Sequence, residues 1–280
     1  MSALPPPLDL LRVDERGDLL PLPPVIGGSY GPLTLPEHPD GPLVYANFVE
    51  TLDGVVSLAV PGKEGGREIS GGEAHDRMVM GLLRAVADAV VVGAGTLRAS
   101  PEHRWTPYYV YPPLADAYRA LRGALGKPEA PLSVIVTASG VVDLDLPVFR
   151  SGAAPVLIVT TPAGLTRLGA TGLPRGISAV AAGSGASLST RQIIEAAIAA
   201  GARDTILLEV GPHLMAQFLE QGQVDELFLT LAPQIAGRAQ PLERPGFAMG
   251  RVFAPEHPLW TRLVDVRRGG SHLFLRYTLR

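Results

Sequence analysis

Five short runs rich in Val, Ile and Leu punctuate the middle of the chain: LVYANFV (43–49), DAVVVG (88–93), LSVIVT (132–137), PVLIVT (155–160) and DTILLEV (204–210). They are apolar at consecutive rather than alternate positions, the pattern of strands covered on both faces in a parallel sheet. The windows between them supply the cover. EAHDRMVMGLLRAVA (73–87) places Ala74, Met78, Leu82 and Val86 four residues apart, STRQIIEAAIAAGA (189–202) runs into Gly201, and PHLMAQFLEQG (212–222) opens on Pro and closes on Gly. Strand and helix therefore alternate, which predicts an α/β fold. The end of the chain differs: LWTRLVDVRR (259–268) and SHLFLRYTLR (271–280) alternate about a Gly-Gly pair, a β-hairpin signature that adds antiparallel strands to a mostly parallel sheet.

Residues 1–42 contain PPP, PLPP and LPEHPDGP with neither helical nor strand periodicity, and read either as an extended arm lying on the domain or on a partner subunit, or as a linker, ahead of a single domain over 43–280. A net charge of −3 without a Lys/Arg cluster gives no electrostatic footprint for nucleic acid or anionic lipid, so small molecules are the expected partners. No apolar run nears the roughly 18 residues of a membrane span. The absence of cysteine removes disulfides, thiolate metal sites and a Cys nucleophile; with no secretory pattern at the start, a cytoplasmic location is expected. The six histidines lack metal-ligand spacing, so no metal is expected. Gly27-Gly28-Ser29-Tyr30-Gly31 matches a nucleophile elbow, but prolines flank it where a strand and helix are required.

Several clusters could carry chemistry. Gly93-Ala94-Gly95-Thr96 follows the second run, where backbone N–H groups freed of side-chain bulk can approach a phosphate, or where a bare tight turn stands. The third glycine of a Rossmann fingerprint is absent, Arg98 standing in its place. Leu208-Glu209-Val210-Gly211-Pro212-His213-Leu214 takes a buried strand through Gly into a helix start suited to a pyrophosphate. Glu209 either points into a cleft or pairs with an Arg. Asn47 to Gly54 places polar residues and an Asp-Gly turn at the end of the first run. Ser70-Gly71-Gly72-Glu73 reads as a capping box, and Arg77 and Arg84, seven apart, share a helix face.

The stretches NFVETLDG, EIS followed by DRMVMGLLRAVADAVVVGAGTLRASP, and LLEVGPHLMAQFLEQGQVDELFLTLAPQIAG resemble, in order, the reductase domain of riboflavin biosynthesis, a family with the dihydrofolate-reductase-like fold. The resemblance implies a homodimeric reductase that uses NADPH, with NADH not excluded, to convert a ribosylamino-pyrimidine 5'-phosphate to its ribitylamino form by hydride transfer to C1'. It places the dinucleotide along Val49, Thr51, Gly54, Gly93, Gly95, Thr96 and the run Gly211, Pro212, His213 and Leu214 to Gln217, with Thr137 and Ser139 toward a 2'-phosphate. It places substrate against Ser70, Arg84, His103, Arg104 and Glu209. Asp53 is the expected proton relay, since hydride delivery to an imine needs charge compensation near nitrogen; Glu209 is grouped with it as catalytic. Ala99-Ser100-Pro101 departs from the family's Asp-Asp-Pro, and no Arg follows LSVIVT. Two alternatives stand beside this reading: a dihydrofolate- or pterin-type reductase on the same scaffold, and a non-catalytic dinucleotide-binding dimer.

Overall fold

A computed structural model of the chain describes residues 4–13, 17–185, 187–240 and 242–279. In chain order its strands are β1 (Asp9–Val13), β2 (Asp18–Leu19), β3 (Thr34–Leu35), β4 (Leu43–Thr51), β5 (Ala89–Gly93), β6 (Leu132–Thr137), β7 (Val156–Thr160), β8 (Ile177–Ala181), β9 (Thr205–Leu208), β10 (Glu226–Ala232), β11 (Arg262–Gly269) and β12 (His272–Thr278). The α-helices are α1 (Pro24–Tyr30), α2 (Gly66–Ser70), α3 (Ala74–Val86), α4 (Ala94–Ala99), α5 (Pro107–Val110), α6 (Ala115–Ala124), α7 (Pro147–Arg150), α8 (Pro162–Thr171), α9 (Thr190–Ala199) and α10 (Pro212–Glu220).

Ten strands form one sheet in the order β1-β11-β12-β10-β4-β9-β5-β6-β7-β8. From β10 to β8 every pairing is parallel, and β12, β11 and β1 extend the sheet antiparallel. This is the mixed α/β architecture expected from the alternating runs and the terminal hairpin. Successive side chains on a strand face opposite ways, so the consecutive apolar residues serve two cores. Val90, Val92, Ile135 and Ile158 pack with α3 and α6, while Val91, Val134, Val136 and Leu157 pack with α9 and α10.

The first 42 residues carry more structure than an extended arm. Pro24 occupies the first position of α1, where its missing N–H costs nothing, and Ile26 and Tyr30 are buried in the core. The flanking prolines thus begin a helix rather than exclude one, and Ser29 donates its hydroxyl to the Val25 carbonyl at 2.8 Å. Strand β1 pairs with β11, so the outer edge of the C-terminal hairpin is covered by the chain itself.

Two side chains of α6 hold α3 in place. Tyr118 of α6 donates to the Met78 carbonyl at 2.8 Å, its ring lying against Gly81, where a Cβ would come within 2.6 Å of the hydroxyl. Arg122, also of α6 and buried, donates through Nη1 to the carbonyls of Arg84, Ala85 and Ala87 at 3.3, 3.1 and 2.7 Å. These carbonyls belong to the last turn, where the helix leaves its acceptors unfilled.

Candidate functional site

Strands β9 and β5 are adjacent and parallel, so the turns that leave their carboxyl ends are neighbours. Both turns carry the glycines singled out in the sequence. A Cβ on Gly93 would lie 3.8 Å from the Gly211 nitrogen, and one on Gly211 would lie 3.7 Å from the Thr96 hydroxyl. Helix α10 starts at Pro212 from Gly211 without a side-chain cap, which leaves its first N–H groups and the positive end of its dipole available to an anion. Beside these turns opens a cleft of about 1230 Å³.

The cleft gathers much of the expected site. Val49, Gly93, Gly95 and Thr96 line it, with Gly211, Pro212, His213, Leu214 and Gln217. From the substrate set Ser70, Arg84, His103 and Glu209 also line it. Glu209 takes both readings at once: it faces the cleft and it is paired. Arg84 grips it bidentately, Nε to Oε1 at 2.9 Å and Nη2 to Oε2 at 2.5 Å, with side chains only 2% and 9% exposed. The remaining Arg84 nitrogen, Nη1, donates to His103 Nε2 at 2.7 Å. Because guanidinium cannot accept, that nitrogen is unprotonated and the His103 proton sits on Nδ1. Burial and then the Arg84 charge press the His103 pKa well below its ordinary value, so the ring is neutral. Trp105 and Tyr109 meet that ring edge-on at 4.9 and 5.2 Å. Trp105 is buried with φ at +45°, a left-handed conformation strained for a bulky residue.

Other expectations are corrected. Asp53 does not line the cleft. Its carboxylate accepts from the Thr51 hydroxyl at 2.6 Å and from the backbone N–H groups of Ala236 and Gly237 at 3.0 and 2.8 Å, so it staples the β4 turn to the 236–237 loop. These bonds, that of Thr51 first, hold its pKa down at about 2, and an acid so strong carries no proton to relay at neutral pH. Thr51 and Gly54 belong to the same staple, the Gly54 carbonyl accepting from Arg238 at 3.0 Å. A depressed pKa adds stability that is present above the ordinary 3.8 and is lost as pH falls through about 2. Asp53→Asn is therefore expected to be less stable than the parent at neutral pH. In acid-unfolding curves the gap should close between pH 4 and 2, while any hydride transfer by the variant persists.

Ser70 is not the cap of α3. Gly71 and Gly72 both take left-handed φ, +64° and +72°, ending α2 and displacing the start of the next helix; Glu73 caps it instead, accepting from the His75 N–H at 3.3 Å. Arg104 is exposed and stacks over Tyr109 at 5.3 Å. Thr137 and Ser139 lie at the end of β6 outside the cleft lining, which Val136 and Ala138 reach instead. Arg167 of α8 donates to the Ser139 carbonyl at 2.5 Å, so a guanidinium that the local sequence lacks arrives there from another helix. The sequence reading also passed over Asp76, Arg67 and Trp105, all in the cleft wall. Asp76 was open to detection: it shares the apolar stripe of α3 with buried Val79 and Leu83, three and seven residues on, where an acid is out of place.

An open, mostly parallel sheet with a glycine-lined cleft at the carboxyl ends of its central strands is an α/β architecture of the kind that holds ligands at that edge. Residues 42–248 match the family model described as RibD C-terminal domain, and the chain belongs to that riboflavin-pathway reductase family. No curated protein matches the sequence. Among solved structures it is similar to a pyrimidine reductase-like protein from Corynebacterium diphtheriae, at 25% identity and TM-score 0.62 over 85% of this chain and 91% of that one. RibD from Acinetobacter baumannii shares the fold at 17% identity and TM-score 0.61; 85% of this chain is covered, and it spans 58% of that longer protein. The riboflavin biosynthesis reductase Rib7 of Saccharomyces cerevisiae shares it at 15% identity and TM-score 0.58, over 87% of this chain and 92% of that one. Among the described residues no helix is long and apolar enough to cross a membrane.

Proposed function

We propose that the chain is an NADPH-dependent reductase that converts a ribosylamino-pyrimidine 5'-phosphate to its ribitylamino form, hydride arriving at C1' of the opened sugar imine. The observation that carries this reading is the meeting of two glycine turns, an uncapped helix start and the Arg84–Glu209–His103 cluster in one cleft. Likeness to the pyrimidine reductase-like protein of Corynebacterium diphtheriae supports it. A bound nicotinamide would supply the hydride.

The chain's own residues supply position and charge. The N–H groups at the start of α10 suit the pyrophosphate, and Gly93 and Gly95 let the dinucleotide approach the backbone. Glu209, held rigid by Arg84, keeps lone pairs for sugar hydroxyls, and the neutral His103 offers none of the positive charge that would raise the energy of a developing cation. Arg167 beside Ser139 suits a 2'-phosphate and so favours NADPH over NADH. Arg167→Glu is expected to weaken NADPH binding about tenfold or more while leaving NADH binding nearly unchanged, read as dissociation constants by calorimetry.

One observation favours the pterin-type alternative: Arg84 is engaged by Glu209 and His103, and Arg104 does not line the cleft, so neither is placed for a substrate phosphate. Stopped-flow absorbance at the nicotinamide band separates the readings. Oxidation by the ribosylamino-pyrimidine phosphate supports the first, oxidation by a dihydropterin alone supports the second, and binding without oxidation by either leaves a non-catalytic dinucleotide-binding protein.

A further inference from the structure

Four arginines among the described residues line the cleft: Arg67, Arg77, Arg84 and Arg98. Arg84 is committed to Glu209 and His103, while among the described residues no carboxylate forms an ion pair with the other three. Arg67 and Arg98 are exposed, where water satisfies their donors. Arg77 is different. It is half-buried, and its Nε is shut away from water with no hydrogen-bond partner. A buried N–H without an acceptor is a cost that the fold alone does not recover. The guanidinium carbon lies 5.9 Å over the ring centre of buried Tyr111, so the group is seated on an aromatic face instead of swinging into solvent. Arg77, Met80 and Arg84, three and four residues apart, make one stripe of α3 along the cleft. Seven residues of helix rise about 10 Å, so a ligand that meets Glu209 beside Arg84 has apolar Met80 along its length and Arg77 at its far end. Tyr109 and Val110 of α5, which packs against α3, line the same stretch.

We propose that Arg77 holds the phosphate monoester of the substrate, its Nε and one Nη donating side by side to two phosphate oxygens. A guanidinium offers that pair of parallel N–H groups in a fixed plane, and a phosphate accepts them as a fork accepts a fork. The ester gives the buried Nε the acceptor that the protein withholds, and it supplies the negative charge that the half-buried cation lacks. With Arg84 engaged and Arg104 outside the cleft, the phosphate grip thus passes one and a half to two turns back along α3. A carboxylate tail presents the same two-oxygen face, and the experiment below separates the two anions. The assignment rests on the reductase reading above and names the residue that would select its phosphorylated substrate.

The test is calorimetric titration of the full chain, saturated with NADP⁺, with ribose 5-phosphate, with ribose and with p-aminobenzoylglutamate. Ribose 5-phosphate is expected to bind about tenfold or more tighter than ribose. Arg77→Met keeps an apolar stem over Tyr111 and removes the charge; it should weaken ribose 5-phosphate about 10- to 100-fold and leave ribose and NADP⁺ as they were. Arg77→Lys restores the charge without the fork, should recover part of the loss, and serves if the Met variant does not fold. In turnover of the ribosylamino-pyrimidine phosphate, Arg77→Met should raise KM by the same factor with kcat nearly unchanged, because a phosphate remote from the reacting carbon is held alike in ground and transition states. A purely structural role would instead lower the folded fraction and kcat together. Equal affinity for ribose and its phosphate in the parent chain, losses that extend to ribose and NADP⁺, or an unchanged KM in an active Arg77→Met variant would overturn the assignment and leave the reductase reading standing. Loss confined to p-aminobenzoylglutamate would overturn it too, making Arg77 the seat of a carboxylate tail. Arg77-dependent binding of ribose 5-phosphate without NADPH oxidation by the ribosylamino-pyrimidine phosphate would overturn the reductase reading and leave Arg77 as the phosphate-holding group.

Discussion

Glu209→Ala is expected to lower stability by about 3–5 kcal/mol, because it leaves the Arg84 guanidinium buried, charged and without its partner. For a chain of this size the unfolding midpoint should fall by about 10 °C. Arg84→Ala strands the Glu209 carboxylate in the same way, and the double replacement should cost well below the sum of the two, since each single change already removes the bond. Turnover should be lost in all three, as the same atoms face the cleft. Thermal denaturation of the set, run as a double-mutant cycle, gives the coupling directly. Additive losses would mean that water reaches both groups and that the pair is not closed as described.

Arg122→Ala should be nearly as damaging although Arg122 does not line the cleft. It removes a buried side chain that fills the carbonyls of Arg84, Ala85 and Ala87 and, through Nε, that of Pro128 at 2.6 Å. Losing several buried hydrogen bonds and opening a cavity is expected to cost about 3–5 kcal/mol. Arg122→Lys should recover only a small part, since one ammonium cannot span acceptors that a planar guanidinium reaches together. The last turn of α3 carries Arg84, so the Lys variant should show a larger fall in kcat/KM than in folded fraction. Steady-state kinetics at a temperature where it remains folded would reveal that difference, and an unchanged kcat/KM would disconnect the cap from the cleft.

The parallel strands were legible because their message is local: consecutive Val and Ile at β5, β6 and β7 admit burial on both faces and little else. Strand β10 is not so plain. It opens with Glu226, a buried acid to which Arg276 of β12 donates at 2.8 Å across fifty residues of sequence. Strand β8, ISAVA, is small and largely exposed at the sheet edge, with no alternation to mark it. Helix α6 is hard to read in an aromatic-rich stretch because the face it buries is defined by its packing against α3 and α5. The site divides in the same way. Gly93, Gly95 and the Gly211-Pro212 turn announce themselves by backbone freedom at a strand end. The fate of Asp53 depended on Ala236 and Gly237, and the partner of Glu209 is Arg84, 125 residues away. No spacing within either motif could have named them.

The pairing of β1 with β11 has a consequence for how the chain is made. Arg268 holds Asp9 at 2.6 Å across 259 residues, so residues 9–13 leave the ribosome long before the strand that gives them an edge to join. Loop closure over such a span costs little more than over one half as long, yet it cannot begin until the hairpin exists. During synthesis residues 9–13 therefore wait for their partner while the parallel core assembles behind them, and β1 joins the sheet only once β11 is in place.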